Sequence, residues 1–112
     1  MSKEKYDFYE RVFDVVRLVP HGRVTTYGAI AKFLGASKSS RLVGWAMNRS
    51  HGLIPTVPAH RVVNRMGLLS GKAHFSNPTE MQRLLESEGI QVKDDQIINF
   101  YDVFWDPALM DL

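Results

Sequence analysis

Helix start and stop signals divide this chain into short segments, and they limit it to a small, mainly helical fold. Proline cannot continue a helix, so the first helix must end before Pro20. Thr26 is a favourable N-cap and Gly35 suits the position after a helix C-terminus, which predicts a second helix between them. Asn77, which is followed by proline, predicts the start of another helix. The chain is long enough for one modest core, so we expect a single mainly α domain over residues 1–112.

Apolar spacing supports the first helix and predicts a third. In the first helix, apolar residues recur as expected for one buried face, at Tyr9, Val12, Phe13 and Val16. A third helix, from about Ser40 to Arg49, has two distinct faces. We expect its buried side to hold Leu42, Val43, Ala46 and Met47, and its exposed side to hold Arg41, Gly44, Trp45 and Asn48. The link to the second helix is tight and contains glycine, which is typical of a helix-turn-helix.

The remainder of the chain predicts a hairpin and a further helix. Two apolar pairs, Val62-Val63 and Leu68-Leu69, flank a four-residue loop that ends in Gly67. This pattern predicts an antiparallel hairpin, which would form a small wing beside the helices. In the later helix we expect Asn77 to be the N-cap and Met81, Leu84 and Leu85 to be buried.

Charge is distributed unevenly along the chain. No Asp or Glu occurs between Val15 and Thr79, a stretch that contains nine Lys or Arg residues. The other residues contain five Lys or Arg and all twelve Asp and Glu. A polyanionic partner is the simplest explanation, and nucleic acid is the polyanion we favour. The alternative is a basic face that the acidic ends of the chain neutralise.

Several classes of function are excluded by composition. Cysteine is absent, which excludes disulfides, thiolate metal sites and cysteine nucleophiles and fits a cytoplasmic protein. The four histidines lack metal-ligand spacing, so we expect no metal and no cofactor. No apolar run approaches the ~20 residues that a membrane span requires, and we expect no membrane partner.

The segment Pro58–Val62 displays an alanine beside a histidine. Pro55 and Pro58 stiffen its entry, because each proline fixes its own φ and restricts the preceding residue. Glu88, on the last predicted helix, is the plausible carboxylate partner for His60, although such a pair could be purely structural. No serine lies in a nucleophile elbow, and there is no phosphate-binding glycine loop. These residues favour binding over chemistry.

Tyr27 lies in the first turn of the second predicted helix, where backbone N–H groups lack partners. A phosphate at this end would meet those amides, the positive end of the helix dipole and a phenol. A packing role for a half-buried Tyr27 explains the position equally well.

Three segments together resemble the O6-alkylguanine-DNA alkyltransferases. They are Thr25-Thr26-Tyr27-Gly28, Arg41-Leu42-Val43-Gly44-Trp45-Ala46-Met47 and Pro58-Ala59-His60-Arg61-Val62-Val63. The resemblance extends in order and spacing from about Tyr9 to Gly89. The transferases have a cysteine that accepts the alkyl group, and Ala59 stands at that position here. The chain is therefore similar to the alkyltransferase-like proteins, which replace the cysteine and lack the transferases' N-terminal domain.

The resemblance implies roles for individual residues. Tyr27 would crowd the phosphate of the target nucleotide and help to rotate it outward. Arg41 would enter the duplex and fill the vacated position, and Gly44 would let the helix lie in the minor groove. Lys72 falls where the alkyltransferase-like proteins often have an arginine beside the lesion pocket. Trp45 departs from the small or polar residue that is common at its position.

Two sets of site residues follow from the resemblance. The implied DNA-binding residues are Thr26, Tyr27, Gly28, Ser39, Arg41, Gly44, Trp45 and Asn48. The implied lesion pocket consists of Tyr27, Val57, Pro58, Ala59, His60, Arg61 and Lys72. His60 and Glu88 match the pair that activates the cysteine in transferases. Without a thiol they would form a structural pair and have no catalytic role.

Residues and resemblance together predict a winged helix-turn-helix-like protein that binds O6-alkylguanine in double-stranded DNA. It would flip the nucleotide, leave the alkyl group in place and mark the damage for nucleotide excision repair proteins. We expect a monomer, located in the cytoplasm or, in a bacterium, on the nucleoid. Three alternatives remain open. They are a true alkyltransferase whose cysteine was changed to alanine to trap a complex, a winged-helix transcription regulator without lesion preference, and a hydrolase that uses His60 and Glu88 on water.

Overall fold

The computed structural model describes residues 3–110, and helices form most of its regular structure. The elements are α1 (Lys3–Arg17), β1 (Thr25–Thr26), α2 (Tyr27–Phe33), α3 (Ser40–Asn48), β2 (Val62–Val63), α4 (Glu80–Ser87), β3 (Val92–Lys93), β4 (Gln96–Ile97) and α5 (Phe100–Val103). Short 3-10 turns lie at Ala59–Arg61, Lys72–His74 and Pro107–Leu109. The mainly α class predicted from the sequence is confirmed. No helix over the described residues is long and apolar enough to cross a membrane.

The predicted ends of the first two helices are confirmed. α1 ends at Arg17, three positions before Pro20. Thr26 caps α2, because its Oγ1 accepts a hydrogen bond from the Ala29 N–H at 3.0 Å. Gly35 follows α2 with φ +76°, a left-handed conformation that favours glycine. α2 and α3 then pack together as the predicted helix-turn-helix pair.

The start of α4 differs from the prediction. The helix begins at Glu80, and Thr79 rather than Asn77 occupies the N-cap position. Asn77 Oδ1 accepts hydrogen bonds from the Thr79 N–H and hydroxyl, both at 3.0 Å. The Asn77 side chain therefore closes a local turn before the helix, an alternative that short amide side chains readily offer.

Two apolar clusters form the core, and β2 lies between them. The first joins the three N-terminal helices and contains Tyr9, Val12, Phe13, Val15, Val16, Ile30, Ala31, Val43, Ala46, Met47, Val57 and Val62. The second lies under α4 and contains Val24, Val63, Leu69, Met81, Leu85, Ile90 and Ile97. Successive side chains of a strand point to opposite faces, so Val62 joins one cluster and Val63 the other. The apolar face predicted for α1 is thus confirmed.

Leu84 is not part of this core, and the prediction that it is buried is wrong. Its side chain is 37% exposed, whereas Met81 and Leu85 on the same helix are buried. The reason is that Leu84 faces an open cavity beside Ala59 rather than the second cluster.

The hairpin predicted over Val62–Leu69 is also wrong. β2 pairs in parallel with β1, and Leu68 forms an antiparallel bridge to Gln96. The intervening loop is a tight turn, with the Gly67 N–H donating to the Asn64 carbonyl at 2.9 Å. Its two arms nevertheless pair with different neighbours, and this arrangement buries Val62 in the first core cluster and Val63 in the second.

Within residues 3–110, the antiparallel ribbon is formed instead by β3 and β4. Val92 pairs with Ile97 and Lys93 with Gln96. Asp94 and Asp95 make the connecting turn, both with positive φ. The wing beside the helices is therefore built from a later part of the chain than the sequence pattern predicts.

Candidate nucleic-acid interface

α3 presents the face that the sequence predicts for contact with DNA. Arg41, Trp45 and Asn48 are exposed, and Gly44 lies between them with open space around its backbone. Val43, Ala46 and Met47 on the opposite side are buried. The Arg41 guanidinium forms no ion pair or side-chain hydrogen bond with any residue that the structure describes. This cation is therefore available to a ligand.

A groove of about 360 Å³ runs beside this face and is called the α3 groove below. It is lined by Tyr27, Ser40, Arg41, Gly44, Trp45, Asn48, Ser70, Gly71 and His74. Five of the predicted DNA-binding residues thus meet in one place. Four further lining residues were not among those predicted, namely Ser40, Ser70, Gly71 and His74. The last three are distant from α3 in the chain, and only packing brings them to it.

Three other predicted DNA-binding residues do not line the α3 groove. Thr26 is buried, and its hydroxyl is used to cap α2. Gly28 is exposed near the start of α2. Ser39 is half-buried immediately before α3, and its side chain makes no capping hydrogen bond.

Tyr27 is part of the wall of the α3 groove. Burial raises the pKa of its phenol, and a hydrogen bond with Ser70 opposes part of that effect. The phenol is therefore neutral at physiological pH. A Cβ at Gly71 would lie 2.9 Å from the Tyr27 hydroxyl, so glycine at this position lets the phenol remain where it is.

A second cavity, of about 500 Å³, lies over Ala59 and is called the Ala59 cavity below. It is lined by Arg17, Ser50, His51, Gly52, Thr56, Val57, Pro58, Ala59, His60, Arg61, Phe75, Glu80 and Leu84. The predicted pocket residues from Val57 to Arg61 are all present, but Tyr27 and Lys72 are not. The two cavities are neighbours, because the segment 70–75 lines the α3 groove with Ser70, Gly71 and His74 and the Ala59 cavity with Phe75.

The rest of the Ala59 cavity wall was not apparent from the sequence. His51 and Phe75 meet edge to face, with ring centroids 4.7 Å apart. Burial, and then the charge of His74, lower the pKa of His51, so its ring is neutral at physiological pH. Arg17 holds the loop before Val57 in place, because its Nε and Nη2 donate to the Pro55 carbonyl at 3.2 and 3.0 Å.

Lys72 lies outside the Ala59 cavity because an acidic partner holds it elsewhere. Its Nζ is 2.6 Å from Asp95 Oδ2, in the turn between β3 and β4. This contact could not be predicted, because Asp95 lies beyond the acid-free stretch and reaches Lys72 only through the fold.

His60 and Glu88 form the predicted pair, with His60 Nε2 at 2.5 Å from Glu88 Oε2. Arg61 joins them, since its Nη2 donates to Glu88 Oε2 at 2.9 Å and its Nη1 donates to the Val19 carbonyl at 2.9 Å. The Gly22 N–H donates to Glu88 Oε1 at 2.8 Å. The guanidinium of Arg61, a predicted pocket residue, is thus engaged inside the protein, and only part of its side chain reaches the cavity wall.

Electrostatics keep Glu88 charged and His60 neutral. Burial would raise the pKa of Glu88, but hydrogen bonds from Arg61, Gly22 and His60 outweigh it and lower the pKa to about 2. Burial lowers the pKa of His60, and Arg61 adds to the effect, while Glu88 opposes it. The carboxylate can only accept, so the neutral imidazole donates its Nε2–H to Glu88.

This arrangement can hold a planar group but offers it no thiol at position 59. Ala59 ends in a methyl group, and His60 is engaged with Glu88. Over the described residues, no three His, Asp or Glu side chains lie close enough together to hold a metal ion.

Comparison with known proteins gives consistent matches. Residues 7–90 match the family model described as 6-O-methylguanine DNA methyltransferase, DNA binding domain. Alkyltransferase-like protein 1 of Schizosaccharomyces pombe is 33% identical over 105 residues, which cover 90% of this chain and 96% of that protein. The DNA base-flipping protein of Escherichia coli is 37% identical over 111 residues, which cover 94% of this chain and 78% of that protein.

The fold matches a solved structure with equal coverage. The crystal structure of S. pombe Atl1 in complex with damaged DNA containing O6-carboxymethylguanine superposes with a TM-score of 0.77 at 33% identity. The match covers 94% of this chain and 98% of the Atl1 chain. The described residues therefore adopt the Atl1 fold.

Proposed function

Because this chain belongs to the family of the 6-O-methylguanine DNA methyltransferase DNA-binding domain, we propose that it binds O6-alkylguanine in duplex DNA by flipping the damaged nucleotide. The alkyl group stays on the base, since the chain has no cysteine to accept it. The observation that supports this function most directly is Ala59, which faces an open cavity beside an intact His60–Glu88 pair.

The α3 groove supplies the contacts to the duplex. The minor groove of B-DNA is only ~6 Å wide, so a helix that approaches it needs a small residue such as Gly44. Arg41 is exposed and has no ion-pair partner among the side chains described from residue 7 to residue 110, and it can fill the position that the flipped nucleotide leaves. A wedge of this kind offsets part of the unstacking free energy. Tyr27, which also lines the groove, would face the displaced nucleotide.

The Ala59 cavity receives the flipped base. Its volume of about 500 Å³ lies within the range of small-molecule pockets, which are ~300–1,000 Å³. The rings of His51 and Phe75 offer apolar and aromatic contact to a planar base. His60 and Arg61 are fixed by Glu88, so the wall is formed before the ligand arrives and little ordering is needed on binding.

In the proposed function, binding of the damaged base is not followed by alkyl transfer. Alkyl transfer requires a thiolate beside His60, and the Ala59 methyl group cannot attack a carbon. The neutral His60 has no thiol proton to remove and serves as scaffold. We therefore propose a non-catalytic protein.

The bound complex marks the lesion for nucleotide excision repair proteins. A chain that leaves the alkyl group in place can contribute to repair only if other proteins remove the damage. One copy of the chain forms both the α3 groove and the Ala59 cavity, so the proposed function needs only a monomer.

The test compares two duplexes that differ at one base. We expect fluorescence anisotropy to show at least about tenfold tighter binding to a duplex with one O6-methylguanine than to its guanine counterpart, since an alkylated base is easier to unpair. Mass spectrometry of protein and DNA after incubation should find both masses unchanged. An alkyl group on the protein, or its loss from the base, would contradict the proposal, as would equal affinity for the two duplexes.

The intact His60–Glu88–Arg61 cluster favours one second candidate, an alkyltransferase whose cysteine has been replaced by alanine. The variant Ala59→Cys separates the two. Efficient alkyl transfer by A59C would support the transferase, whereas tight binding without transfer would support recognition alone.

A further inference from the structure

We propose that Trp45 is a second side chain that inserts into the DNA, one helical turn along α3 from Arg41. This inference rests on the proposed function, because it requires α3 to lie in the minor groove at the lesion. It assigns to Trp45 a role in selecting the base pairs that flank the lesion.

The spacing on α3 places Trp45 over a different base step from Arg41. Residues four apart in a helix lie on one face and are displaced by ~6 Å along the axis. Successive base pairs rise by ~3.4 Å, so Trp45 reaches a step about two base pairs from the position that Arg41 occupies. The two side chains therefore act at separate points of the same groove.

The indole of Trp45 projects from the protein surface. Trp45 is 48% exposed, which is high for so large an apolar side chain. It lines the α3 groove on one side and, on the other, a hollow of about 260 Å³ that it shares with Tyr9, Asn48 and Arg49. A side chain that lines hollows on both sides forms a ridge between them. Asn48 also lines both hollows but is smaller, and the neighbouring Gly44 contributes no side chain, so the indole is the bulkiest part of this ridge.

A ridge of this size is incompatible with a helix lying flat in an undistorted minor groove. The groove is ~6 Å wide, so an indole between helix and base pairs would hold α3 away from the base stack. Arg41 reaches the stack only if α3 approaches closely. Insertion of the Trp45 ring between base pairs accommodates the indole and still lets α3 approach closely enough for Arg41 to reach the stack. Apolar side chains do insert in this way in minor-groove complexes, where they unstack and kink the duplex.

The charges around Trp45 favour this arrangement. Arg41 and Arg49 lie one turn before and one turn after it, and neither forms an ion pair with a residue of the described chain. No acidic residue occurs anywhere on α3. Phosphates on either side of the inserted ring would thus meet a cation, which supports a local kink.

Insertion implies a preference for particular flanking sequences. Pyrimidine–purine steps such as TA and CA are unstacked most easily, whereas A-tracts are stiff. We therefore expect lesions with a TA step two base pairs away to be bound more tightly than the same lesion within an A-tract.

The experiment places the fluorescent base 2-aminopurine at one of three positions: next to an O6-methylguanine, or two base pairs from it on one side or the other. Its emission rises when it is unstacked. We expect the wild-type protein to raise emission at the adjacent site and at one distal site. Trp45→Ala should abolish only the distal rise, and Arg41→Ala should reduce the adjacent one. A silent distal probe, or a distal rise that survives in W45A, would overturn the inference.

Affinity provides a second measurement on the same variants. Base–aromatic stacking is worth enough that W45A should weaken lesion binding by roughly tenfold and lose the preference for a TA flank. Trp45→Phe should retain part of both effects. If W45A melts like the wild type in circular dichroism and keeps both its affinity and its flank preference, the inference is overturned.

Trp105→Phe is the matched control, because Trp105 is the only other tryptophan and does not line the α3 groove. W105F should bind like the wild type, and its remaining indole should be quenched on DNA binding. The proposed function fails separately, through equal affinity for damaged and undamaged duplexes, so the two failures can be distinguished.

Discussion

Among single residues, Glu88 links the end of α4 to two other segments. Its carboxylate accepts hydrogen bonds from His60 and Arg61, which lie in the turn that lines the Ala59 cavity. It also accepts a hydrogen bond from the Gly22 N–H, in the turn after α1. The Glu88 side chain is only 5% exposed. Removing one member of such a buried cluster leaves the other polar groups without compensation, which makes Glu88 a test of stability rather than of recognition.

Glu88→Gln should make the free energy of unfolding depend less on pH in the acidic range. The pKa of Glu88 is about 2 in the folded chain, against an ordinary value of 4.5, so its carboxylate stabilises the fold above pH 4.5. That contribution is lost as the pH falls from 4.5 towards 2. The difference between these two pKa values corresponds to roughly 3 kcal/mol, so we expect E88Q to lower the free energy of unfolding at pH 7 by about that amount. Urea denaturation between pH 2 and pH 7 measures the effect.

Glu86→Gln is the control, because Glu86 is exposed on the same helix. E86Q should leave the pH profile unchanged, and identical profiles for the two variants would contradict the role of Glu88.

The lowered pKa of His60 also makes the fold less stable in acid, but at a higher pH than Glu88 does. As the pH falls below about 6.5, His60 of the unfolded chain takes up a proton before His60 of the folded chain does, so the free energy of unfolding decreases.

Arg41→Ala should reduce lesion discrimination more than DNA binding in general. Loss of the wedge leaves the unstacked position unfilled, so we expect the preference for O6-methylguanine over guanine to fall by about tenfold. Arg49→Ala removes the same charge from the end of the same helix but outside the α3 groove. R49A should weaken binding to both duplexes equally, as expected for a phosphate contact. Similar losses of preference in the two variants would count against flipping by Arg41.

Among the elements, the β3–β4 ribbon positions the segment that separates the two cavities. The Asp95 carbonyl accepts a hydrogen bond from the Leu69 N–H at 2.9 Å, and its carboxylate holds Lys72. The ribbon thus fixes both ends of the stretch that includes Ser70 and Gly71. The same contact neutralises a cation close to the proposed DNA surface.

Asp95→Asn should release Lys72 without disturbing the turn. Asp95 has φ +61°, a conformation that asparagine also tolerates. Lys72 and Asp95 are 40% and 49% exposed, so their ion pair contributes less than about 1 kcal/mol to stability. We expect D95N to bind DNA more tightly and to steepen the plot of log K against log salt by about 0.9 for one added phosphate contact.

Asp94→Asn is the matched change, because Asp94 lies in the same turn with φ +54° and makes no contact with Lys72. Anisotropy titrations over a series of salt concentrations compare the two variants. Equal salt slopes for D94N and D95N would show that general charge, and not the release of Lys72, changes the affinity.

The elements that could be predicted are those specified by neighbouring residues. The limits of α1 and α2 follow from Pro20, Thr26 and Gly35, whose effects are local. The hairpin could not be predicted correctly, because a turn at Asn64–Gly67 is compatible with several partners for the two-residue strand β2. Burial of both faces of β2 selects β1, and that choice depends on contacts between segments far apart in the chain.

In the whole molecule, the site combines residues of recognisable sequence motifs, which could be predicted, with residues that only packing brings to it, which could not. The exposed face of α3 and the segment Val57–Arg61 each lie within one stretch of sequence. His51, Phe75 and Arg17 reach the Ala59 cavity from separate loops and helices through packing. Nothing in the types of these three residues predicts that they line the same cavity.

Charge segregation is also a property of the whole molecule. The α3 groove is lined entirely by residues from the acid-free stretch, whereas Glu80 lines the Ala59 cavity. The long-range potential therefore favours a polyanion along α3, while the Ala59 cavity is suited to a neutral base. Under the proposed function, the α3 groove would bind the DNA backbone and the Ala59 cavity would bind the damaged base.

Ala59 also decides how the protein operates over time. A protein that accepts an alkyl group covalently is altered by each event and acts once. With a methyl group at position 59, binding is an equilibrium, and the fraction of damage occupied follows the free protein concentration relative to Kd. Under the proposed function, dissociation would return the protein unchanged, so one molecule could report successive lesions. The chain would then act as a reusable sensor rather than a consumed reagent.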